Sequence, residues 1–368
     1  MIIRVLILLL ILQSSFYCTN NEGKSKNEVL MESLAIVAYP YLINTCAITP
    51  VVPGGPVPQI TSGYGARGTH SVSVNILPNP VAPKNVCVYF PADQSGPAPV
   101  LFLFHGFSAP SAEPYYPLID FYVSKGYVVV FPIYFSDDRD PLENYDIMWN
   151  GILSAVQQYP DKIDTTRVGF MGHSYGGGAT PYMAKKGLVT ETWGSNGGFI
   201  FMVAPWYSFG MTDTDLTQIP ASTKLLVQIY ENDQVTDHRM GIDIFQHITS
   251  IANTEKDFLS VYTDSSSGTT LLADHYVPIK DTIIGIGALD ALDYYGVWKP
   301  LEALADYTFN NNATAKTIAL GDGASSQKFM GQYLNGNPVK EMTVSDSPVP
   351  LQPESYFSQP FSDPKNPR

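Results

Sequence analysis

Val168-Gly-Phe-Met-Gly-His-Ser-Tyr-Gly-Gly-Gly-Ala179 is the stretch on which the fold turns. Its first half, entered from Arg167, is short and apolar, as a buried strand is. Its second half runs into a helix-forming segment, Tyr175 to Lys186. Between them stands Gly172-His173-Ser174-Tyr175-Gly176, the spacing G-x-S-x-G. A serine raised on a strained strand-to-helix turn leaves no room for side chains at the flanking positions, so glycines belong there. The following helix points its positive end at charge developing near the serine. The bare spacing also arises by chance in glycine-rich loops. An apolar strand before it and a helix after it are the context that gives it meaning.

Outward from the motif, strands and helices alternate. Upstream, Ala98 to Phe104 is a nearly continuous apolar run, as expected of a strand covered on both faces. Tyr115–Lys125 reads as a helix closed by Gly126, Tyr127–Phe135 as a strand, and Glu143–Tyr159 as a helix stopped by Pro160. Earlier still, His70–Leu77 and Asn85–Phe90 alternate with period two and read as antiparallel edge strands. Downstream come strands at Phe199–Val203 and Lys224–Tyr230, a helix at Met240–Ile251, and a last strand at Asp257–Tyr262. A terminal helix, Ala288–Phe309, is expected to break near Pro300. This alternation specifies an α/β fold, a mostly parallel mixed sheet flanked by helices. About twenty residues separate Val203 from Lys224, too few for a large cap domain.

From His70 to Phe309 the chain resembles the α/β-hydrolase superfamily, and its layout is similar to the dienelactone-hydrolase-like branch. That branch includes chlorophyllase-type, platelet-activating-factor-acetylhydrolase-type and polyester-hydrolase-type enzymes. The resemblance implies an eight-stranded-type sheet with Ser174 as nucleophile. Phe102-Leu-Phe-His-Gly-Phe-Ser108 looks like the family's oxyanion loop. The backbone N–H groups of Phe107 and Tyr175 would then form the oxyanion hole, and His105 would brace the loop rather than act as base.

The family's chain order is serine, acid, histidine. Asp233 lies three residues past the strand Lys224–Tyr230 and resembles the family's Asp-x-x-Val turn, with Glu231 and Asp237 as rivals. Only His238, His247 and His275 follow it. His238 is too near the acid in sequence to turn toward Ser174, and His247 falls inside a helix. His275 lies in the loop after the last expected strand, where the family places its base. Ala204-Pro-Trp206-Tyr207 follows a strand end, so Trp206 is a candidate substrate-binding aromatic, as in polyester-hydrolase-like relatives.

Composition narrows the partners. The chain has 368 residues, 45% apolar and 15% charged, with a formal net charge of −13. Disorder and nucleic-acid binding are both disfavoured, the second because phosphate neutralisation needs a basic face. The sequence shows no metal-ligand cluster and no phosphate-binding glycine loop, so neither metal nor cofactor is expected. Met1-Ile-Ile-Arg4 followed by the apolar run Val5–Leu12 reads as an export signal, too short to span a bilayer. Cys18 stands where a bacterial lipoprotein carries its lipid, although Tyr17 departs from the small residue usual there. Membrane tethering through Cys18 and ordinary cleavage both stay open.

The chain thus divides into a signal (1–18), an extension and linker (19–65) with a short helix near 27–38, a catalytic domain (66–309) and a C-terminal extension (310–368). The extension is rich in proline and reads as packed in part and then frayed. A Cys46–Cys87 disulfide is open, with a buried thiol in a strand the preferred reading of Cys87. Function is expected to be hydrolysis of lipidic or aromatic carboxylic esters. Rival readings are a peptidase or amidase using the same residues, and a surface lipoprotein that binds without catalysis.

Overall fold

Apolar side chains alternating along the strands set the layers. The computed structural model describes residues 45–368 apart from 47, 53, 108 and 282–284, and in it nine strands form one sheet. They are β1 (Val72–Pro78), β2 (Asn85–Pro91), β3 (Ala98–Phe104), β4 (Val128–Pro132), β5 (Ile163–His173), β6 (Gly198–Val203), β7 (Lys224–Tyr230), β8 (Lys256–Val261) and β9 (Thr343–Ser345). Their order is β1-β2-β4-β3-β5-β6-β7-β8-β9. β4, β3 and β5 through β8 run parallel, while β1, β2 and β9 pair antiparallel. This is the expected α/β architecture.

Helices α1 (Tyr116–Ser124), α2 (Pro141–Gln158), α3 (Tyr175–Lys185), α4 (Asp213–Thr217), α5 (His238–His247), α6 (Lys299–Asn310) and α7 (Ala313–Ala319) flank the sheet. On one face Leu101, Leu103, Phe199, Phe201 and Leu226 pack with α1 and α6. On the other, Phe102, Phe104, Phe170, Ile200 and Val227 pack with α2, α3 and α5. Successive strand residues thus serve opposite cores, as period-two geometry requires. The β6–β7 connection holds only the five-residue α4, and no cap domain is evident among the described residues.

Chain direction across the sheet reverses at β3: the chain leaves it toward β4 and returns to β5 on its other side. Loops leaving β3 and β5 therefore diverge, opening a crevice at the carboxyl ends of the central strands.

Several expectations need correction. A ninth strand, β9, comes from the tail and pairs Phe258, Leu259 and Ser260 with Ser345, Val344 and Thr343, so β8 is not the last strand. The tail does not fray. Ser358 and Gln359 donate their N–H groups to the carbonyls of Gln234 and Val235 at 2.8 and 2.9 Å. The Arg368 side chain, 5% exposed, bonds Asp213, Asp243 and the Met211 carbonyl. Residues 45–368 form one compact unit. The terminal helix does change beside Pro300: a wide-turned π segment (Leu292–Trp298) gives way to α6 at Lys299. Cys46 and Cys87 are joined as a disulfide, so Cys87 is not a free thiol. The expected helix at 27–38, the signal and Cys18 lie outside the described residues.

Candidate active site

Ser174 stands at the β5–α3 turn with φ 57° and ψ −120°, a conformation that L-residues adopt only under constraint. The constraint is visible at the two glycines. A Cβ on Gly172 would meet the Gly176 carbonyl oxygen at 2.1 Å, and one on Gly176 would meet the Phe104 oxygen at 2.3 Å. The turn closes only without those side chains.

His275, in the loop after β8, places Nε2 2.9 Å from Ser174 Oγ and Nδ1 2.8 Å from Asp233 Oδ2. A carboxylate can only accept, so Nδ1 carries the proton and Nε2 offers its lone pair to the serine hydroxyl. Asp233 is itself held. Its Oδ1 accepts the N–H groups of Val235 and Thr236 at 2.7 and 3.0 Å, and Oδ2 accepts the Thr236 hydroxyl at 2.9 Å. Burial alone would raise the carboxyl pKa, but the facing imidazole and these N–H donors outweigh it and hold the group below the ordinary carboxylate range. All three side chains are less than a tenth exposed.

The rival residues are occupied elsewhere. Asp237 caps α5 through the Arg239 N–H at 3.0 Å and accepts the Phe361 N–H at 3.0 Å. Glu231 accepts the Thr263 N–H at 3.0 Å. His238 bonds the Tyr230 carbonyl and the Leu351 N–H, and His247 faces Asp243 on the half-exposed side of α5.

Both expected oxyanion donors line the same cavity as Ser174 and His275. Tyr175 opens α3, where a helix has no acceptor for its N–H. Among the described residues neither that N–H nor the one of Phe107 is hydrogen-bonded. His105 aims the second donor. Its Nδ1 donates to the Gly106 carbonyl at 2.7 Å, and the carbonyl and N–H of one planar trans peptide point in opposite directions. The Phe107 N–H is thereby turned the other way. His105 also accepts the Tyr134 N–H at 3.2 Å and stacks on the Tyr134 ring at 3.7 Å. Burial pushes its pKa down to about 3, so it stays neutral and structural.

The cavity has a volume of about 1090 Å³. One wall is aromatic: Trp206 stacks on Tyr175 at 5.3 Å, Phe107 flanks Tyr175 at 6.0 Å, and Phe209 flanks Trp206 at 5.6 Å. Tyr276, Ile279 and Ile286 also line it. Trp206 thus sits where the sequence reading put it. Gln359 and Lys365 line the cavity too, and nothing in a proline-rich tail points to them.

Elsewhere, the fold brings Asp257, Asp322 and Asp346 together with oxygens within 4.8 Å, though the sequence shows no metal-ligand spacing. One oxygen of Asp257 is taken by Gln327 at 2.6 Å. Asn312 caps α7 and donates to Asp306 at 2.8 Å. No helix among the described residues is long and apolar enough to cross a membrane.

No protein-family model and no curated protein matches the chain.

Proposed function

We propose that the protein is an exported serine hydrolase of the α/β-hydrolase type that cleaves carboxylic esters through Ser174, His275 and Asp233. The carrying observation is the continuous hydrogen-bond chain from Ser174 Oγ through His275 to Asp233, set beside the Phe107 and Tyr175 N–H groups, which have no acceptor among the described residues.

In this reading the Ser174 hydroxyl attacks the ester carbonyl carbon and passes its proton to His275 Nε2. The carbonyl oxygen becomes an oxyanion within reach of the Phe107 and Tyr175 N–H groups. The protonated imidazole, steadied by Asp233, gives its proton to the leaving alkoxide, and an acyl-serine remains. Water, deprotonated by His275, attacks that acyl carbon. The tetrahedral adduct collapses, Ser174 recovers its proton and the acid leaves. Every proton is returned, so no cofactor is required.

The aromatic wall with Ile279 and Ile286 favours esters with apolar acyl or aromatic groups, beside a charged side formed by Asp137, Asp138, Arg139, Asp281 and Lys365. Export is supported by the basic start and the apolar run Val5–Leu12, and by the Cys46–Cys87 disulfide, a bond kept in oxidising compartments. The polar stretch after Cys18 suits either a secreted chain or one tethered through a lipid on that cysteine.

Turnover of a p-nitrophenyl ester series from acetate to palmitate, beside peptide p-nitroanilides, tests the reading. Ester cleavage that vanishes in Ser174→Ala is expected. Peptide cleavage with negligible ester turnover, or no difference between wild type and variant, overturns it. Intact mass of the exported chain tests the address separately, and a mature chain that keeps Met1 would refute it.

A further inference from the structure

We propose that Tyr115 and His173 are positioning residues that lock the oxyanion loop and the histidine loop to one another through a single directed hydrogen-bond chain. The inference rests on the ester-hydrolase reading and assigns a task to two buried side chains that the triad leaves unused.

The chain can be followed atom by atom. The carbonyl of His275 lies 2.8 Å from His173 Nε2. A carbonyl only accepts, so Nε2 carries the proton. Burial pushes the His173 pKa down to about 3, and His275 nearby adds to the shift, so the ring is neutral and Nδ1 is left as an acceptor. Tyr115 Oη lies 2.8 Å from that Nδ1 and must donate to it. The same oxygen then accepts the Gly106 N–H at 2.7 Å. With the ring neutral, the directions of all three contacts are fixed, Tyr115 Oη donating once and accepting once.

Its ends are the parts that must agree in space during the reaction. Gly106 immediately precedes Phe107, which lines the cavity, and His275 carries the base. The middle is His173, whose backbone runs directly into Ser174. A Cβ on Gly106 would lie 3.3 Å from both His173 Nδ1 and Tyr115 Oη and 3.4 Å from Ser174 Cβ, so the oxyanion loop packs closely on the serine turn, and the His173–His275 bond ties the histidine loop to both. Three strands deliver them: β3 the oxyanion loop, β5 the serine, and β8 the histidine loop. Strand pairing fixes their separations only to the strand ends, and the chain fixes the rest. Neither residue touches the reacting atoms through its own polar group, so their action is on placement, where an error of about 1 Å costs on the order of 100-fold in rate.

Tyr115→Phe removes the hydroxyl and keeps the ring that packs 5.6 Å from Phe131. His173→Phe removes both polar atoms from the middle of the chain. The enzyme is assayed as full-length chain on p-nitrophenyl butyrate, with phenylboronic acid as a probe that forms a tetrahedral adduct on Ser174. Each variant is expected to lose roughly 10- to 100-fold in kcat with KM within about twofold, and to bind the boronic acid correspondingly more weakly. Because the two residues act in one chain, the double variant should fall no further than the worse single. A folded Tyr115→Phe variant, by its urea midpoint, with kcat within twofold of wild type overturns the proposal. So does a loss confined to KM, or two losses that multiply. A wild-type chain that turns over no ester and takes no fluorophosphonate instead overturns the hydrolase reading, and this inference with it.

Discussion

Replacing Asp233 with Asn changes one atom, and the structure says how that atom must sit. Oδ1 receives two backbone N–H groups, from Val235 and Thr236 at 2.7 and 3.0 Å. An amide NH2 turned toward them would set donors against donors in a buried site, so the amide oxygen must take that place. The NH2 is then forced to face His275 Nδ1, now 2.8 Å from Oδ2. It can be accommodated only if Nδ1 gives up its proton and becomes an acceptor. The neutral imidazole then carries its proton on Nε2, facing Ser174 Oγ, and the lone pair that should accept the serine proton is gone. Backbone and packing change little, while the base is disabled. Loss of the correct tautomer costs about 10⁴ in kcat in serine hydrolases of this geometry, equivalent to about 5.4 kcal/mol of barrier. Initial rates on p-nitrophenyl butyrate, with urea unfolding as a fold control, measure it. A folded Asp233→Asn variant retaining a tenth of wild-type activity would refute the tautomer argument and the assignment of Asp233 as the acid.

Other perturbations follow from single contacts. The Cys46–Cys87 disulfide closes a separation of 41 residues, which in the chain-entropy picture constrains the unfolded state by about 4 kcal/mol. Cys46→Ser/Cys87→Ser should lose most of that in urea unfolding, and a change under 1 kcal/mol would contradict it. His173 has its pKa lowered by burial to about 3, so below pH ~6.5 the unfolded chain binds a proton that the native chain refuses. Native stability therefore drops as pH falls from about 6 to 4. Wild type should lose about 1.4 kcal/mol per pH unit more than His173→Phe there, and parallel pH curves would show that His173 titrates normally. Gly176→Ala drives a Cβ to 2.3 Å from the Phe104 oxygen, so soluble variant should fail to acquire a fluorophosphonate label. Labelling at the wild-type rate would mean that the turn tolerates a side chain.

How much of this was legible in sequence depended on whether the signal was local. The strand–turn–helix around Ser174 could be read because steric need wrote glycines at fixed offsets from the serine. Asp233 and His275 could be singled out as candidates because each follows a strand that announces itself by apolar character. Trp206, which lines the cavity, could be singled out in the same way, at the end of β6. The tail was misread because its contacts are long-range: β9 has only three residues and pairs with β8 some 85 positions earlier, and Gln359 reaches back to Val235. Its prolines suggested fraying, yet Phe361 N–H, just after Pro360, finds Asp237 at 3.0 Å. The disulfide was undetermined because two cysteines carry no record of whether they meet. Tyr115 gave no signal at all. His173 lay inside the motif, and only the fold shows its ring bonded to Tyr115 on one side and to the His275 carbonyl on the other.

The central claim is that Ser174 is an activated nucleophile, and mass mapping after fluorophosphonate treatment addresses it most directly. Full-length protein should take one label per chain, on the peptide carrying Ser174, and Ser174→Ala should take none. A wild-type chain that stays unlabelled, or a Ser174→Ala chain that labels as fast, would contradict the claim.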